Sequence, residues 1–507
     1  MTPANPKRYA CSWLATSLAA GASFGGVTLL ALSLLISAGC AVGPDYQIPH
    51  PAVPAHFSET VPTPALTNSA GVPVDAWWTV FQDATLNELM QEAVRSGPDL
   101  AMADARVREA RALRRIAIAD RYPTADAGGF YNRNHGSLNV PIGVSPGGLG
   151  PGEDSDLWQA GFDASWEIDV FGGIRRNVES ANASYQAEIE SRHDVALSLF
   201  AEIARNYIEL RSVQKQLTVL RDDLSVRRTL LTLTQSRFNA GLSSSQEVSG
   251  AQADFSAVEA QLSPLVTDEH AAIYRIGALV GRKPEDLLAE LDQPQPVQLA
   301  ASPEVPVGLP SDLLLRRPDI RVAERLLAAA TARIGAAKVD LYPHFYLTGL
   351  TGLESLNFNS VFNAASGYYS VGPDITWKVF DAGKVRSQVL IERARTDQAA
   401  AAYQKTVLNA LKEVETALVA YAQAQMHRQS VVDETTADQK TLALSQQLYN
   451  QGVADYFAVL EAEKALDAAE YELAGSDQDT AINLIALYKS LGGGWEMADH
   501  KLVDTRK

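Results

Sequence analysis

Two segments of the sequence alternate strictly between apolar and polar positions. From Trp158 to Val170 the even positions are Trp, Ala, Phe, Ala, Trp, Ile and Val, and the odd positions are polar or glycine. Residues 369–379 repeat the alternation, with Tyr, Val, Pro, Ile, Trp and Val on one side. A period of two predicts β-strands with one apolar and one polar face. A weaker strand precedes each of them, at residues 122–131 and 342–353.

These strands have two interpretations. Either they form an ordinary sheet that packs on a core, or they cross a membrane, as barrel strands of about 9–11 residues do. On the second interpretation, the residues that face lipid are Trp158, Phe162, Trp166, Ile168, Tyr369, Ile375 and Trp377. Those that face a water-filled lumen are Asp163, Glu167 and Asp374. Four strands cannot close an aqueous barrel alone, so a barrel requires several copies of the chain.

Two other stretches have the pattern of very long helices. Residues 172–239 contain no proline, and their only glycines are the first two, Gly172 and Gly173. Residues 384–451 contain neither proline nor glycine. At about 1.5 Å per residue, each helix would be ~100 Å long. Each is followed by a short loop and a return helix, at residues 246–280 and 456–491. Apolar residues at spacings of three and four predict coiled-coil packing. The seam residues are Ile203, Leu210, Val213, Leu217, Leu220 and Leu224, and then Val407, Leu411, Val414, Leu418 and Tyr421.

The chain is an internal duplication. Residues 96–100 (SGPDL) match residues 316–320 (RRPDI), and residues 238–242 (FNAGL) match residues 449–453 (YNQGV). The offset shortens from 220 to 211 because residues 134–157, which are rich in Gly and Pro, lengthen a loop of the first half. Each half therefore has the same order: helix, strand pair, very long helix, return helix.

Charge and composition exclude several classes of function. The chain has 43 Lys+Arg against 60 Asp+Glu, a net charge of −17, which argues against nucleic-acid binding. The 46% apolar and 20% charged fractions are those of a folded protein. The eight histidines show no metal-ligand spacing such as HExxH, and GxSxG and GxxxxGK[ST] are absent. The sequence predicts neither an enzyme nor a cofactor.

The first forty residues have the pattern of a secretory signal. Lys7 and Arg8 precede an apolar run at residues 27–36, and small residues then lead to Cys40. The Ala-Gly-Cys ending resembles the lipobox of bacterial lipoproteins, in which cleavage before the cysteine leaves an acylated N-terminus. Ser37 stands where the lipobox usually has leucine.

The alternative is an uncleaved membrane anchor, because the uncharged stretch is long enough to span a bilayer. Glycines such as Gly25 interrupt that stretch, and we therefore predict lipidation at Cys40. Ala41 stands where an aspartate would resemble an inner-membrane retention signal, so it favours the outer membrane.

Proline-rich stretches suggest where the domains end. The predicted domains are a signal peptide (1–39), a lipidated Pro-rich tether (40–74), a first repeat (75–282), a Pro-rich linker in the equatorial region (283–310), a second repeat (311–492) and a C-terminal tail (493–507).

Together these features resemble the TolC-like outer-membrane factors, and most closely their lipoprotein branch of NodT and OprM type. The resemblance covers the chain after the signal and is most specific at residues 166–176 (WEIDVFGGIRR), 377–386 (WKVFDAGKVR) and 449–462 (YNQGVADYFAVLEA). It implies an α+β membrane protein whose homotrimer closes one 12-stranded barrel and an α-helical periplasmic tunnel. It also implies a periplasmic adaptor protein and an inner-membrane efflux pump as partners, with outer-membrane lipid around the barrel. Small molecules would leave the cell through this channel.

The resemblance further implies a gate at the periplasmic tip, one to three turns past the loop of the second hairpin. Glu461 is the predicted aperture residue, followed by Phe457 and Asp455. Three Glu461 carboxylates would form an anionic ring that favours cations. TolC has a second acid one turn earlier, where this chain has Ala458. The alternative is that Glu461 is a solvated residue that pairs with Lys464.

Two other classes of protein remain as alternatives. A lipoprotein periplasmic adaptor also has a long helical hairpin, but it would have one hairpin between β-rich domains and no duplication. A coiled-coil scaffold without transport activity would explain the helices, but it would explain neither the amphipathic strands nor the signal.

Overall fold

The structure is a computed structural model, and it describes residues 41–58, 74–142, 149–293, 305 and 310–499. The predicted signal peptide and Cys40 lie outside these residues. The chain divides into two compact units. One is built around Thr124–Gly173 and Val339–Val379 and contains the strands, and the other contains the helices.

The strand-containing unit is one antiparallel sheet. Its strands are β1 (Thr124–His135), β2 (Asp154–Ile168), β3 (His344–Ser355) and β4 (Gly367–Thr376). They are hydrogen-bonded in the order β1-β2-β3-β4. The central pair, β2 and β3, comes from different halves of the sequence, so the sheet exists only because both repeats contribute to it.

The second unit is helical. After a 3₁₀ helix (Val74–Phe81), its helices are α1 (Ala84–Ser96), α2 (Pro98–Ala119), α3 (Gly173–Asn239), α4 (Ser245–Val280), α5 (Pro284–Leu291), α6 (Pro310–Arg316), α7 (Pro318–Val339), α8 (Lys384–Asn450) and α9 (Tyr456–Ser490). No helix within the described ranges is both long enough and apolar enough to span a membrane.

The predicted duplication is confirmed by the lengths of matching elements. The helices α2 and α7 each have 22 residues, β1 and β3 each have 12, and α3 and α8 each have 67. Matching glycines precede the two long helices: Gly172 has φ +84° and Gly383 has φ +88°. This left-handed backbone favours glycine because it has no Cβ. The position just before each long helix therefore has the same left-handed backbone in both repeats.

The core of the helical unit forms where the long helices meet the N-terminal helices. The indole of Trp77 stacks on the ring of Tyr488 in α9 at 5.6 Å, and Trp78 contacts Phe200 in α3 at 5.4 Å. All four side chains belong to one buried apolar cluster. The predicted seams lie in such packing: Ile203, Leu210, Val407 and Val414 are among the buried residues.

Two predicted strand boundaries need correction, and the predicted linker contains a helix. β2 begins at Asp154, inside the predicted loop, because cross-strand ion pairs to β1 continue the ladder. β4 ends at Thr376, so Trp377 lies just past the strand, where its indole N–H donates to the carbonyl of Leu341 at 3.2 Å. The predicted linker contains α5, which folds because Leu287 and Leu291 are buried.

The described part of the predicted C-terminal tail is also packed. The ring of Trp495 stacks on His193 of α3 at 4.3 Å, and the carbonyl of Ala498 accepts a hydrogen bond from Arg192 at 3.0 Å. Asp499 bonds His193 at 2.9 Å. These contacts hold residues 495–499 against the helical unit.

Candidate functional site

The register of the sheet separates an apolar face from a polar face. Directly opposed residues of neighbouring strands point to the same side. Phe162 lies opposite Thr351, which lies opposite Tyr369, so the three form one row. Six of the predicted lipid-facing residues share this face: Trp158, Phe162, Trp166, Ile168, Tyr369 and Ile375.

The apolar face is exposed within the described part of its own unit. Phe162 is 64% exposed, Ile375 is 60% exposed and Tyr369 is 83% exposed. An exposed apolar area of this kind marks a surface that meets another protein or a membrane. The sheet therefore does not pack as one half of an ordinary core, which was the alternative interpretation of the strands.

Aromatic side chains lie towards both ends of the apolar face. At one end Trp158 packs on Tyr131 at 4.2 Å, and beyond it Arg133 and Asp154 form an ion pair at 3.3 Å. Trp166 lies towards the other end, ~26 Å along the strand at about 3.3 Å per residue. An apolar band ≈25 Å tall between aromatic girdles is the pattern of an outer-membrane barrel strand.

The opposite face carries the predicted lumen-facing acids. Glu167 lies opposite Tyr346, which lies opposite Asp374. The imidazole of His344 bonds the Glu167 carboxylate at 2.8 Å. Asp163 is exposed and lies opposite Asp126 of β1.

The sequence did not single out Asp126, because its alignment with Asp163 depends on the register between β1 and β2. The pair makes this face more anionic than the sequence alone predicted.

The second candidate region is the start of α9, where the second hairpin turns. Asp455 caps the helix by accepting a hydrogen bond from the Ala458 N–H at 3.2 Å. The guanidinium of Arg237, in the last turn of α3, lies 4.0 Å from the Asp455 carboxylate. It also lies 6.0 Å from the centre of the Phe457 ring. Arg237 therefore links the tips of the two hairpins, a role that its sequence position alone did not indicate.

Glu461 is exposed one turn beyond Phe457. The predicted alternative partner, Lys464, binds Asp254 of α4 at 3.1 Å instead. Glu461 has no hydrogen bond or ion pair with any described residue. Its carboxylate is thus available to solvent and to other chains.

A second acid lies further along the same helix. Burial, together with the neighbouring carboxylates of Asp223, Glu463 and Glu470, raises the pKa of Asp467 to about 7. Its Oδ2 is buried without a hydrogen-bond partner in the described chain. Nothing in the sequence distinguishes this carboxylate, because acids on a long amphipathic helix are normally solvated.

The chain matches a family model described as outer membrane efflux protein over residues 89–282 and 309–493, which includes both repeats. It is 31% identical to the solvent efflux pump outer membrane protein SrpC of Pseudomonas putida over 473 residues, 92% of this chain and 98% of that protein. It is 31% identical to the cation efflux system protein CusC of Escherichia coli O6:H1 over 469 residues, 90% of this chain and 96% of that protein.

Solved structures show the same likeness. The outer-membrane channel OprN aligns with a TM-score of 0.80 at 33% identity, and the alignment covers 90% of this chain and 100% of that one. Together with the family match, this confirms the resemblance predicted from the sequence. The comparisons do not support the two alternative classes, the periplasmic adaptor and the coiled-coil scaffold. The relatives are outer-membrane channels, and the described part of the chain has two hairpins.

Proposed function

The chain belongs to the outer membrane efflux protein family, and on that basis we propose how its sheet and its helical hairpins form an exit duct. The protein is an outer-membrane efflux channel subunit, and family members are transport channels rather than enzymes. The observation that carries the proposal is the two-faced, four-stranded sheet together with two long hairpins from a duplicated chain.

The sheet supports closure by three copies. β1 and β4 are its edges, so their outer backbone N–H and C=O groups have no ladder partner in the described part of the chain. Unpaired backbone groups are costly in lipid, and a closed barrel removes the edges. Pairing β1 of one copy with β4 of the next, three times, gives a 12-stranded barrel with the apolar face outward. The three pairs of hairpins then form the periplasmic tunnel.

Oligomeric state in detergent tests this arrangement. The extracted protein should run as a trimer in light scattering corrected for bound detergent. A monomer that keeps its fold and needs no detergent would contradict the barrel.

We propose a periplasmic adaptor and an inner-membrane pump as the partners of this channel, with small molecules as its cargo. The relatives named for solvent and cation efflux differ in cargo. A duct that only conducts needs no chemistry specific to its cargo, and the proposal therefore names no single substrate.

The gate is proposed at the start of α9. An efflux channel must stay shut until its pump docks, so a narrow point that can move is needed at the tip. The exposed carboxylate of Glu461 can line the aperture. The contact of Arg237 with Asp455 and Phe457 can hold the tips of the two hairpins together in the closed state.

Replacing Glu461 by glutamine is expected to lower cation selectivity and to weaken block by divalent cations. Three carboxylates in a ring attract cations, and the substitution removes all three charges while it keeps the side-chain shape. Planar-bilayer recordings of reversal potential and divalent block measure the effect. Glu472→Gln is the matched control, an exposed acid further along the same helix. Equal reversal potentials for parent and Glu461→Gln would remove Glu461 from the aperture, with Phe457 and Asp455 next to be tested.

Replacing Cys40 by serine is expected to abolish acyl labelling and to leave the signal peptide uncleaved by the lipoprotein peptidase. Three acyl chains exceed what stable anchoring requires, at about 0.8 kcal/mol per buried CH₂. Export itself should survive the change, because the apolar band of the barrel holds the protein in the membrane. Mass spectrometry of the purified protein decides: an unmodified Cys40 at the mature N-terminus would exclude lipidation.

A further inference from the structure

Three potential metal ligands meet at the base of the first hairpin, far along the chain from the proposed gate. Glu269 and His270 are adjacent on α4, and Asp292 follows the last residue of α5. One ligand atom from each residue lies within 4.8 Å of the other two. No spacing motif contains them, since Asp292 is brought in by the fold.

The packing of α5 on α4 produces this arrangement. Gly281, at φ +80°, ends α4, and its N–H and that of Arg282 both bond the carbonyl of Gly277 at 2.9 Å. The chain then turns back, and Leu287 and Leu291 are buried in the core cluster. The end of α5 is therefore level with Glu269, which lies two turns before Gly277.

One ligand is held in place from behind. Glu269 is only 7% exposed, and the side-chain N–H of Gln214 donates to its Oε1 at 2.9 Å. The same amide nitrogen donates to the carbonyl of Leu291 at 2.8 Å, which ties α5 to this point. The other oxygen of Glu269 has no partner among the described residues. A hydrogen bond such as the one from Gln214 orients the ligand side chain before the metal binds.

The other two ligands are free to move. Within the described ranges, the side chains of His270 and Asp292 make no hydrogen bond or ion pair. The His270 ring packs edge-on against the Tyr274 ring, with the ring centres 6.0 Å apart, and Asp292 is exposed. Ligand atoms around Zn²⁺ lie about 3.3 Å apart, given bonds of about 2.0–2.2 Å. The ligand atoms therefore need to approach one another by ~1.5 Å at most, and rotation of the His270 and Asp292 side chains can provide this movement.

The carboxylates of the three ligands attract a cation. The buried guanidinium of Arg211 lies beside the cluster, but it bonds the side-chain oxygen of Gln214 and the carbonyl of Gln293, both at 2.8 Å, and neither carboxylate. The two carboxylates therefore exceed this one positive charge. An imidazole nitrogen beside two carboxylates suits a transition-metal ion, whereas Ca²⁺ and Mg²⁺ prefer ligand sets made only of oxygen.

We propose that Glu269, His270 and Asp292 bind one divalent transition-metal ion per chain, with water completing its coordination. The ion joins α4 of the first repeat to the end of α5, which lies inside the Pro-rich linker. Its effect is to stabilise the packing of α5 on α4, independently of the channel and its gate.

Zn²⁺ titration of the detergent-solubilised, chelator-treated protein tests the proposal. Calorimetry should show one saturable site per chain, and Zn²⁺ should raise the thermal unfolding temperature. His270→Ala and Asp292→Asn should each weaken Zn²⁺ binding at least about tenfold. Loss of a residue that only hydrogen-bonds a metal ligand already lowers affinity by about that factor. Co²⁺ in place of Zn²⁺ should give an absorption band that His270→Ala abolishes.

The controls separate this site from adventitious binding. His427→Ala, at an exposed histidine of α8, should bind Zn²⁺ like the parent. Both ligand variants change side chains that are not fully buried, so their unfolding temperatures without metal should equal that of the parent. A parent with no saturable site, or ligand variants that bind as the parent does, would overturn the assignment.

Discussion

Replacing Phe162 by arginine is expected to reduce the amount of assembled protein in the membrane far more than replacing its neighbour Asp163 by arginine. Phe162 is exposed in the middle of the apolar face, in one row with Thr351 and Tyr369. A cation on the lipid face at midplane costs about 2–4 kcal/mol. In a trimer this cost arises three times.

Asp163 is the matched control because it is the next residue of the same strand and points to the other face. An arginine there lies opposite Asp126 and replaces an acid–acid pair with an attractive one. Quantification of the detergent-extracted trimer in outer-membrane fractions measures the difference. If the two variants assembled equally, or Asp163→Arg assembled less, the assignment of faces to lipid and lumen would be reversed or wrong.

Replacing His193 by glutamine is expected to loosen the attachment of residues 495–499 to the helical unit. The His193 ring is buried between two carboxylates, with Glu190 at 3.0 Å and Asp499 at 2.9 Å. Hydrogen bonds to charged groups contribute about 1.5–3 kcal/mol each. Glu190 retains Arg321 at 2.6 Å, whereas Asp499 retains only the longer contact with Arg192 at 3.4 Å, so the loss falls mainly on Asp499.

The same contacts make this attachment pH-dependent. Burial lowers the pKa of His193, but the hydrogen bonds and charges of Asp499 and Glu190 outweigh it, and the pKa is raised. The stabilisation is therefore complete below the unfolded pKa of about 6.5 and is lost as pH rises through the higher folded pKa. Burial raises the pKa of Asp499, but His193 together with Arg192 and Arg321 lowers it more, so the contribution of Asp499 is lost as pH falls through that lowered value.

Hydrogen exchange of the amides of residues 495–499, corrected for intrinsic rates, measures this attachment. At pH 6, His193→Gln should exchange at least about tenfold faster than the parent, which corresponds to 1.4 kcal/mol. At pH 9 the difference should shrink, because the parent has then lost its imidazolium. His427→Gln, at an exposed histidine, should behave as the parent at both values. Protection that does not vary with pH in the parent would show that the charge of His193 does not hold the segment.

The protonated state of His193 could not have been predicted from the sequence. Asp499 lies 306 residues further along the chain, in a segment that composition marked only as a tail. The same limit applies to the tip, where Lys464 binds Asp254 and not the acid three residues before it. Pairings of this kind depend on which helices are neighbours, and local pattern carries no such information.

Local pattern was sufficient for the elements themselves. A period of two follows from strand geometry, so alternation placed β2 and β4 within a few residues of their observed ends. The absence of internal proline and glycine placed α3 and α8 equally closely, and the duplication supplied the order of the elements. Tertiary structure alone decided the register that aligns Asp126 with Asp163, the return of α5 onto α4 that brings Asp292 to His270, and the contact of Arg237 with the second hairpin. Each of these joins residues that are distant in sequence, and their partners are selected by burial and charge in the folded chain.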